Sequence, residues 1–176
     1  MIAKAHALTD PSRLRPAGAP RIALVLVPAV ALFGCGGHDD HDHEDPAAHA
    51  CEHRADPGMS VTAAMTRGPD APLVEIGEAT YTVMLDGSGP RYVRLETSAP
   101  RDVLLFVSVA DVVRRLYRGD EARSLISGGP NQHCASQIAE HFDVELDAAG
   151  TWYLELGPAA VPSVWLMVTD AAGHAH

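Results

Sequence analysis

The sequence predicts an all-β protein built on a single antiparallel β-sandwich. From residue 59 to residue 170, short runs rich in β-branched, aromatic and aliphatic residues alternate with turns rich in Gly, Pro and Asp, a pattern typical of a sandwich or a barrel. No long stretch has helical periodicity and no repeat is present, so folds built on long helices are disfavoured. The chain has 176 residues, and an N-terminal leader leaves room for one domain of about 120 residues.

The first segment, residues 1–34, has the layout of an export signal. A basic stretch that ends at Arg21 precedes the apolar or small residues Ile22–Phe33. Twelve residues are too few to cross a bilayer as a helix, so the segment is typical of a signal peptide rather than a transmembrane span. We therefore expect the rest of the chain to lie outside the cytoplasm.

The end of this segment, Leu32-Phe33-Gly34-Cys35, resembles the lipobox of bacterial lipoproteins. Phe33 departs from the small or β-branched residue that is usual at its position. The resemblance implies that Cys35 becomes the first mature residue and carries acyl chains, which would anchor the protein to a bacterial membrane facing the periplasm or the exterior. An ordinary cleaved signal and an uncleaved N-terminal anchor are the alternatives.

The charge of the mature chain argues against a nucleic-acid partner. Four of the 13 basic residues and one of the 23 acidic residues precede Cys35, which leaves nine arginines against 22 acids and a net charge of about −13. Such a chain repels phosphate backbones and anionic lipid headgroups. Acidity combined with nine histidines favours cations, or serves solubility alone.

The two remaining cysteines, Cys51 and Cys134, are predicted to form a disulfide, because two leftover thiols in an oxidising compartment usually bridge. This bridge would close a loop of over 80 residues and contribute about 4 kcal/mol. Both cysteines have histidine neighbours, so a zinc site with two cysteine and two histidine ligands is the alternative.

Residues 35–58 are predicted to be a disordered, His- and Asp-rich tether, because the run 36–50 lacks apolar periodicity. Within it, His38, His41 and His43 stand among Asp and Glu side chains. Imidazoles and carboxylates on one mobile segment can wrap a zinc, nickel or copper ion. The alternative is a polar spacer between lipid and domain.

Six more histidines are candidate metal ligands. We expect a Cys51–Cys134 bridge to bring His53 beside His133, with His49 and His141 as possible additions to an ordered site. The tail, residues 171–176, ends in His174 and His176. The termini of one sandwich often lie near each other, so this tail could share an ion with the tether.

The sandwich is predicted to contain about eight strands. The segments 80–85 and 92–97 alternate well and should form a hairpin. The run 103–109 is almost entirely apolar and should be a central strand covered on both faces. The segment 112–117 is expected to extend this strand or to pair with it. The other expected strands are 60–66, 142–147, 152–156 and 163–169.

The block His141–Gly157, HFDVELDAAGTWYLELG, resembles the last hairpin of bacterial pre-peptidase C-terminal-like β-sandwiches. That resemblance implies a jelly-roll-like accessory domain rather than an enzyme. The sequence contains no nucleophile elbow, zinc-protease motif, phosphate-binding glycine loop or Cys-x-x-Cys.

Together these features predict an exported lipoprotein that binds a transition metal, which is zinc, nickel or copper. Its role would be capture, buffering or delivery, with a metal transporter as a partner. The alternative is a structural or protein-interaction β-sandwich lipoprotein whose histidines only solvate the tether.

Overall fold

The computed structural model describes residues 45–158 and 160–171. This part of the chain contains one helix and ten strands. Their bounds are α1 Pro46–His53, β1 Met59–Thr62, β2 Thr80–Met84, β3 Arg91–Thr97, β4 Arg101–Val107, β5 Val113–Arg118, β6 Glu121–Ser124, β7 Ser127–Gly129, β8 Glu140–Leu146, β9 Gly150–Leu156 and β10 Ser163–Asp170.

The strands form two sheets, which confirms the predicted all-β sandwich. The six-stranded sheet has the order β1-β2-β10-β4-β8-β7, and the four-stranded sheet has the order β3-β9-β5-β6. Every pairing between described strands is antiparallel except that of β1 with β2, which is parallel. The long connection 63–79 between β1 and β2 makes this parallel pairing possible.

The main core lies between the sheets and is built by alternation, because successive residues of a strand point to opposite faces. In β9, Trp152, Leu154 and Leu156 are almost completely buried, whereas the residues between them are partly exposed. From the six-stranded sheet, Leu105 and Leu166 reach the same core.

Strands β4 and β10 are covered on both faces, as predicted for the apolar run 103–109. Their second face presents Phe106, Trp165 and Met167, which pack with Ala50 of α1 and with Ile138 in a separate buried cluster. The helix and the loop 131–139 thus form a layer over the outside of the six-stranded sheet.

Two predicted hairpins are wrong, because the strands involved belong to different sheets. β2 lies in the six-stranded sheet and β3 in the four-stranded sheet, and the same is true of β8 and β9. In β8 and β9, Phe142 and Trp152 both point into the core, so the two strands lie on opposite sides of it. Strand β5 likewise pairs with β9 and β6 rather than with β4.

Ordered structure begins earlier than residue 59, since α1 occupies part of the expected tether. Asp45 caps the helix by accepting a hydrogen bond from the Ala47 N–H (2.9 Å), and Pro46 occupies the first turn, where its missing N–H costs nothing. The predicted signal (1–34), Cys35 and the run 36–44 lie outside the described residues. No helix of the described residues is both long and apolar enough to span a membrane.

Candidate functional site

The candidate site lies where α1 meets the loop 131–139. A disulfide joins Cys51 of the helix to Cys134 of the loop across a sequence separation of 83 residues, which confirms the predicted bridge. Both thiols are consumed, so the alternative zinc site with two cysteine ligands is not formed. The bridge thus ties α1 to a loop that is distant from it in the sequence.

Asn131 makes a second connection between helix and loop. Its side-chain amide donates a hydrogen bond to the Ala47 carbonyl (2.8 Å), and its Oδ1 accepts one from the His133 backbone N–H (2.9 Å). Asn131 is only 1% exposed, and a buried polar group is retained when its hydrogen bonds are made. This side chain therefore fixes the position of His133 relative to the first turn of α1.

At this junction the His133 imidazole contacts the Asp45 carboxylate, with Nε2 lying 2.8 Å from Oδ2. Both side chains are about half exposed. The other carboxylate oxygen, Oδ1, accepts the Ala47 N–H. The Ala47 hydrogen bond and, after it, the one from His133 lower the pKa of Asp45, so the carboxylate is charged at neutral pH.

The Asp45 contact determines which nitrogen of neutral His133 can bind a metal. An ionised carboxylate only accepts hydrogen bonds, so Nε2 carries the proton and Nδ1 keeps its lone pair. Among the described residues, His133 Nδ1 has no hydrogen-bond partner. A carboxylate that orients a histidine through one ring nitrogen while the other binds the ion is the usual arrangement in metal sites.

His49 and His53 lie one helical turn apart on α1, and their ring centroids are 4.5 Å apart. Residues at i and i+4 share a helix face, which explains the contact. His49 Nε2 is 4.0 Å from a carboxylate oxygen of Glu78, and His53 Nδ1 is 3.0 Å from Asp56. The helix thus carries a histidine pair flanked by two carboxylates.

His141 lies apart from these residues, in the six-stranded sheet. Its Nδ1 donates a hydrogen bond to the Gly129 carbonyl (2.8 Å), and its Nε2 occupies the space where a Cβ of Gly128 would be. The ring also stacks on Phe106 at a centroid distance of 6.3 Å. These contacts give His141 a structural role between β7 and β8.

The predicted ordered ligands are therefore distributed over separate contacts. Within residues 45–158 and 160–171, no three His, Cys, Asp or Glu side chains form a group that could hold a metal ion. The predicted ligands His38, His41, His43, His174 and His176 lie outside the described residues.

Sequence reasoning placed Asp45 among the carboxylates near the histidines of the run, but it missed the capping role of Asp45 and it missed Asn131. Asp45 follows the His-rich run directly, and Asp-Pro before an Ala-rich segment is a recognisable helix start. That signal could have identified Asp45 as the cap of α1. Asn131 follows a Gly-Gly-Pro sequence and reads as an ordinary loop residue, so no local signal marks it.

Comparison with known proteins finds no matching family model and no matching curated protein. Among solved structures, the chain is similar to the pre-peptidase C-terminal domain of a collagenase from Bacillus anthracis. The identity is 12%, the TM-score is 0.41, and the match covers 58% of this chain and 98% of that one. It is also similar to PliG from Salmonella Typhimurium, a periplasmic inhibitor of g-type lysozyme, at 14% identity and a TM-score of 0.34, covering 63% of this chain and 98% of that one.

Proposed function

We propose that the protein is an exported lipoprotein that binds a transition-metal ion, which is zinc, nickel or copper, through its His-rich N-terminal segment and His133. The observation that carries this proposal is the Asp45–His133 contact. It joins the first described residue after the His-rich run to an ordered imidazole whose Nδ1 can act as a ligand.

The length of the intervening chain would allow His41 and His43 to reach His133. An extended chain spans at most 3.3–3.6 Å per residue, so the Cα atom of His43 lies within about 7 Å of that of Asp45, and the Cα atom of His41 within about 14 Å. His133 contacts Asp45 directly. An ion bound by His133 can thus acquire further imidazole and carboxylate ligands, which suit these metals.

Two features support export. The Cys51–Cys134 disulfide is typical of an oxidising compartment. The segment 1–34 has the layout of a signal, and its Leu32–Cys35 motif resembles a lipobox. An acylated Cys35 would tether the metal site to the membrane surface, where capture, buffering or handover of an ion to a transporter takes place.

The test is a calorimetric titration of the purified protein with zinc, nickel and copper at about pH 7.5 and about pH 5.5, on either side of the ordinary imidazole pKa. Ligands must be deprotonated, so we expect binding at the higher pH and much weaker binding at the lower one. Equal heats at both values, or none, would refute the proposal.

Two variants locate the site. The His133→Ala variant should lower the affinity, as should the simultaneous change of His38, His41 and His43 to Ala. Ser136→Ala is the matched control, because it alters an exposed side chain of the same loop that is not a metal ligand. Binding that survives in His133→Ala but not in the triple variant would confine the site to the run 36–44.

The alternative is a structural or protein-interaction module whose histidines only solvate the tether. Deleting residues 36–44 discriminates between the two functions. This deletion leaves Asp45 and α1 in place, so the fold is retained. Metal stoichiometry should fall if the first function is right, whereas unchanged metal stoichiometry with partner binding retained would support the second.

A further inference from the structure

The outward face of the four-stranded sheet carries three of the four tyrosines of the chain. Tyr92 lies on β3, Tyr153 on β9 and Tyr117 on β5, which are adjacent strands. Tyr153 pairs with Arg94 on one side and with Tyr117 on the other. The inward residues of these strands build the core, and these three tyrosines do not belong to it.

A network of polar contacts fixes these tyrosines. The Tyr117 hydroxyl donates a hydrogen bond to Glu155 Oε2 at 2.7 Å, and the Tyr92 hydroxyl reaches the same oxygen at 3.5 Å. The Tyr92 and Tyr117 rings meet edge to face with centroids 6.2 Å apart. Side chains on a solvated sheet face usually keep their rotamer freedom, whereas these contacts restrict the tyrosine side chains at an entropic cost.

Arg67 adds to this network from the connection between β1 and β2. Its guanidinium lies 4.3 Å from the Tyr117 ring centroid. It also donates to the Gly119 carbonyl and pairs with Asp120 at 3.4 Å. Arg67 therefore connects the segment 65–67 to the turn at Gly119, and the aromatic residues lie between the two.

These contacts border an open groove of about 460 Å³. The segment 65–67 forms one wall, Gly119 and Asp120 form the other, and the rings of Tyr92 and Tyr153 line it between them. Its volume lies within the range of small-molecule sites, which are typically lined by aromatic residues and a few fixed polar groups. The groove is thus prearranged for a ligand with both apolar and hydroxyl surfaces.

We propose that this groove binds a neutral oligosaccharide. The faces of a sugar ring present C–H groups that pack on tyrosine rings, while its hydroxyls match fixed guanidinium and carboxylate groups. The charged groups in and beside the groove already contact partners: Arg67 pairs with Asp120, and Arg94 pairs with Glu96. Glu155 accepts the Tyr117 hydroxyl, which the Arg115 side chain also contacts. Neither an anionic nor a cationic ligand would find an uncompensated partner in these pairs.

The shape of the groove favours a sugar chain over a protein. A stable protein interface buries about 800 Å² on each partner, whereas only a few side chains line this groove. Binding here requires no metal ion, so the inference is independent of the proposed metal site.

The test is a titration of the isotope-labelled protein, followed by NMR, with the neutral probes cellohexaose, chitohexaose and maltohexaose. Hexagalacturonate serves as a charged probe of the same length. We expect at least one neutral probe to shift the resonances of Tyr92 and Tyr153. The Tyr153→Ala variant should lower the affinity about tenfold, since one aromatic contact of this kind is lost.

Two controls keep this test decisive. Tyr153→Phe retains the ring and should bind more tightly than Tyr153→Ala if stacking matters. Ile126→Ala alters a residue that is 84% exposed and does not line the groove, and it should bind as the wild type does. Thermal unfolding of each variant shows whether the fold is intact.

Three results would overturn the inference. The first is that no neutral probe binds, or that only hexagalacturonate does. The second is that Tyr153→Ala keeps the wild-type affinity. The third is concentration-dependent self-association that Tyr153→Ala abolishes, because the groove would then be an interface with a second copy of the chain.

Discussion

The Asp45 carboxylate and the His133 imidazole are 2.8 Å apart although 88 residues separate them in the sequence. Two connections produce this contact. The Cys51–Cys134 disulfide fixes the body of α1 to the loop, and Asn131 links the first helical turn to the His133 backbone. The contact is thus a property of the folded domain and provides an ordered end point for the His-rich run.

The first prediction concerns metal affinity in Asp45→Asn. Asparagine is as good a helix cap as aspartate, so α1 should persist, but the charged partner of His133 is lost. Removing a carboxylate that orients a metal-binding histidine typically lowers affinity about 10- to 100-fold. Calorimetric titration with zinc at about pH 7.5 measures the change. Unchanged affinity would show that Asp45 does not orient the ligand.

The second prediction concerns acid titration of the metal-free protein. The Ala47 N–H hydrogen bond, and then His133, hold the pKa of Asp45 below its ordinary value of 3.8. A lowered carboxyl pKa stabilises the fold above the unfolded value, and this contribution is lost as the pH falls through the folded value. An NMR titration of the side-chain carboxyl carbon should therefore give a midpoint below 3.8.

His133→Ala supplies the matching control. It removes the second cause and leaves the first, so the Asp45 midpoint should rise only part of the way toward 3.8. A midpoint at 3.8 or above in the wild type would contradict the structure at the start of α1.

The alternation of residues predicted the faces of strands correctly, since burial on one face imposes a period of two. In the predicted strand 163–169, alternation places Val164 and Leu166 on the face opposite Trp165 and Met167, and the two sets lie in the two separate buried clusters. Which strands pair with each other was harder to predict, because a strand that buries one face can do so from either sheet. The hairpin expected within His141–Gly157 is wrong for this reason, since β8 and β9 lie in different sheets.

The helix and the candidate site depend on contacts between distant residues. α1 has eight residues, and isolated helices of that length are marginal in water. Burial of Ala50 and the bridge to Cys134 stabilise it. The disulfide could be predicted because only two cysteines remained after Cys35. The Asp45–His133 contact could not, because neither local sequence contains a pattern that indicates it.

The third prediction is that Gly128→Ala destabilises the domain. A Cβ at this position would overlap the His141 ring, which the Gly129 carbonyl holds in place. Overpacking of this kind costs about 1–3 kcal/mol of unfolding free energy. Gly68→Ala is the control, because a Cβ there meets nothing within 4 Å. Denaturant unfolding of both variants measures the difference, and equal stability would mean that His141 is not fixed against β7.

The fourth prediction links the disulfide to metal binding. Replacing both Cys51 and Cys134 with serine opens a loop with a sequence separation of 83 residues, which should lower the unfolding free energy by about 4 kcal/mol. The same change releases α1 from the loop, so Asp45 should no longer hold His133. We therefore expect zinc affinity to fall even where the sheets remain folded.

The control for the fourth prediction separates global stability from local order. Gly128→Ala should also destabilise the domain, but it acts between β7 and β8 and leaves the bridge intact. At a temperature where both variants are folded by circular dichroism, only the double serine variant should lose zinc affinity. Equal affinity in both variants would show that the bridge stabilises the domain without positioning the metal ligands, because Asn131 alone would then hold His133 in place.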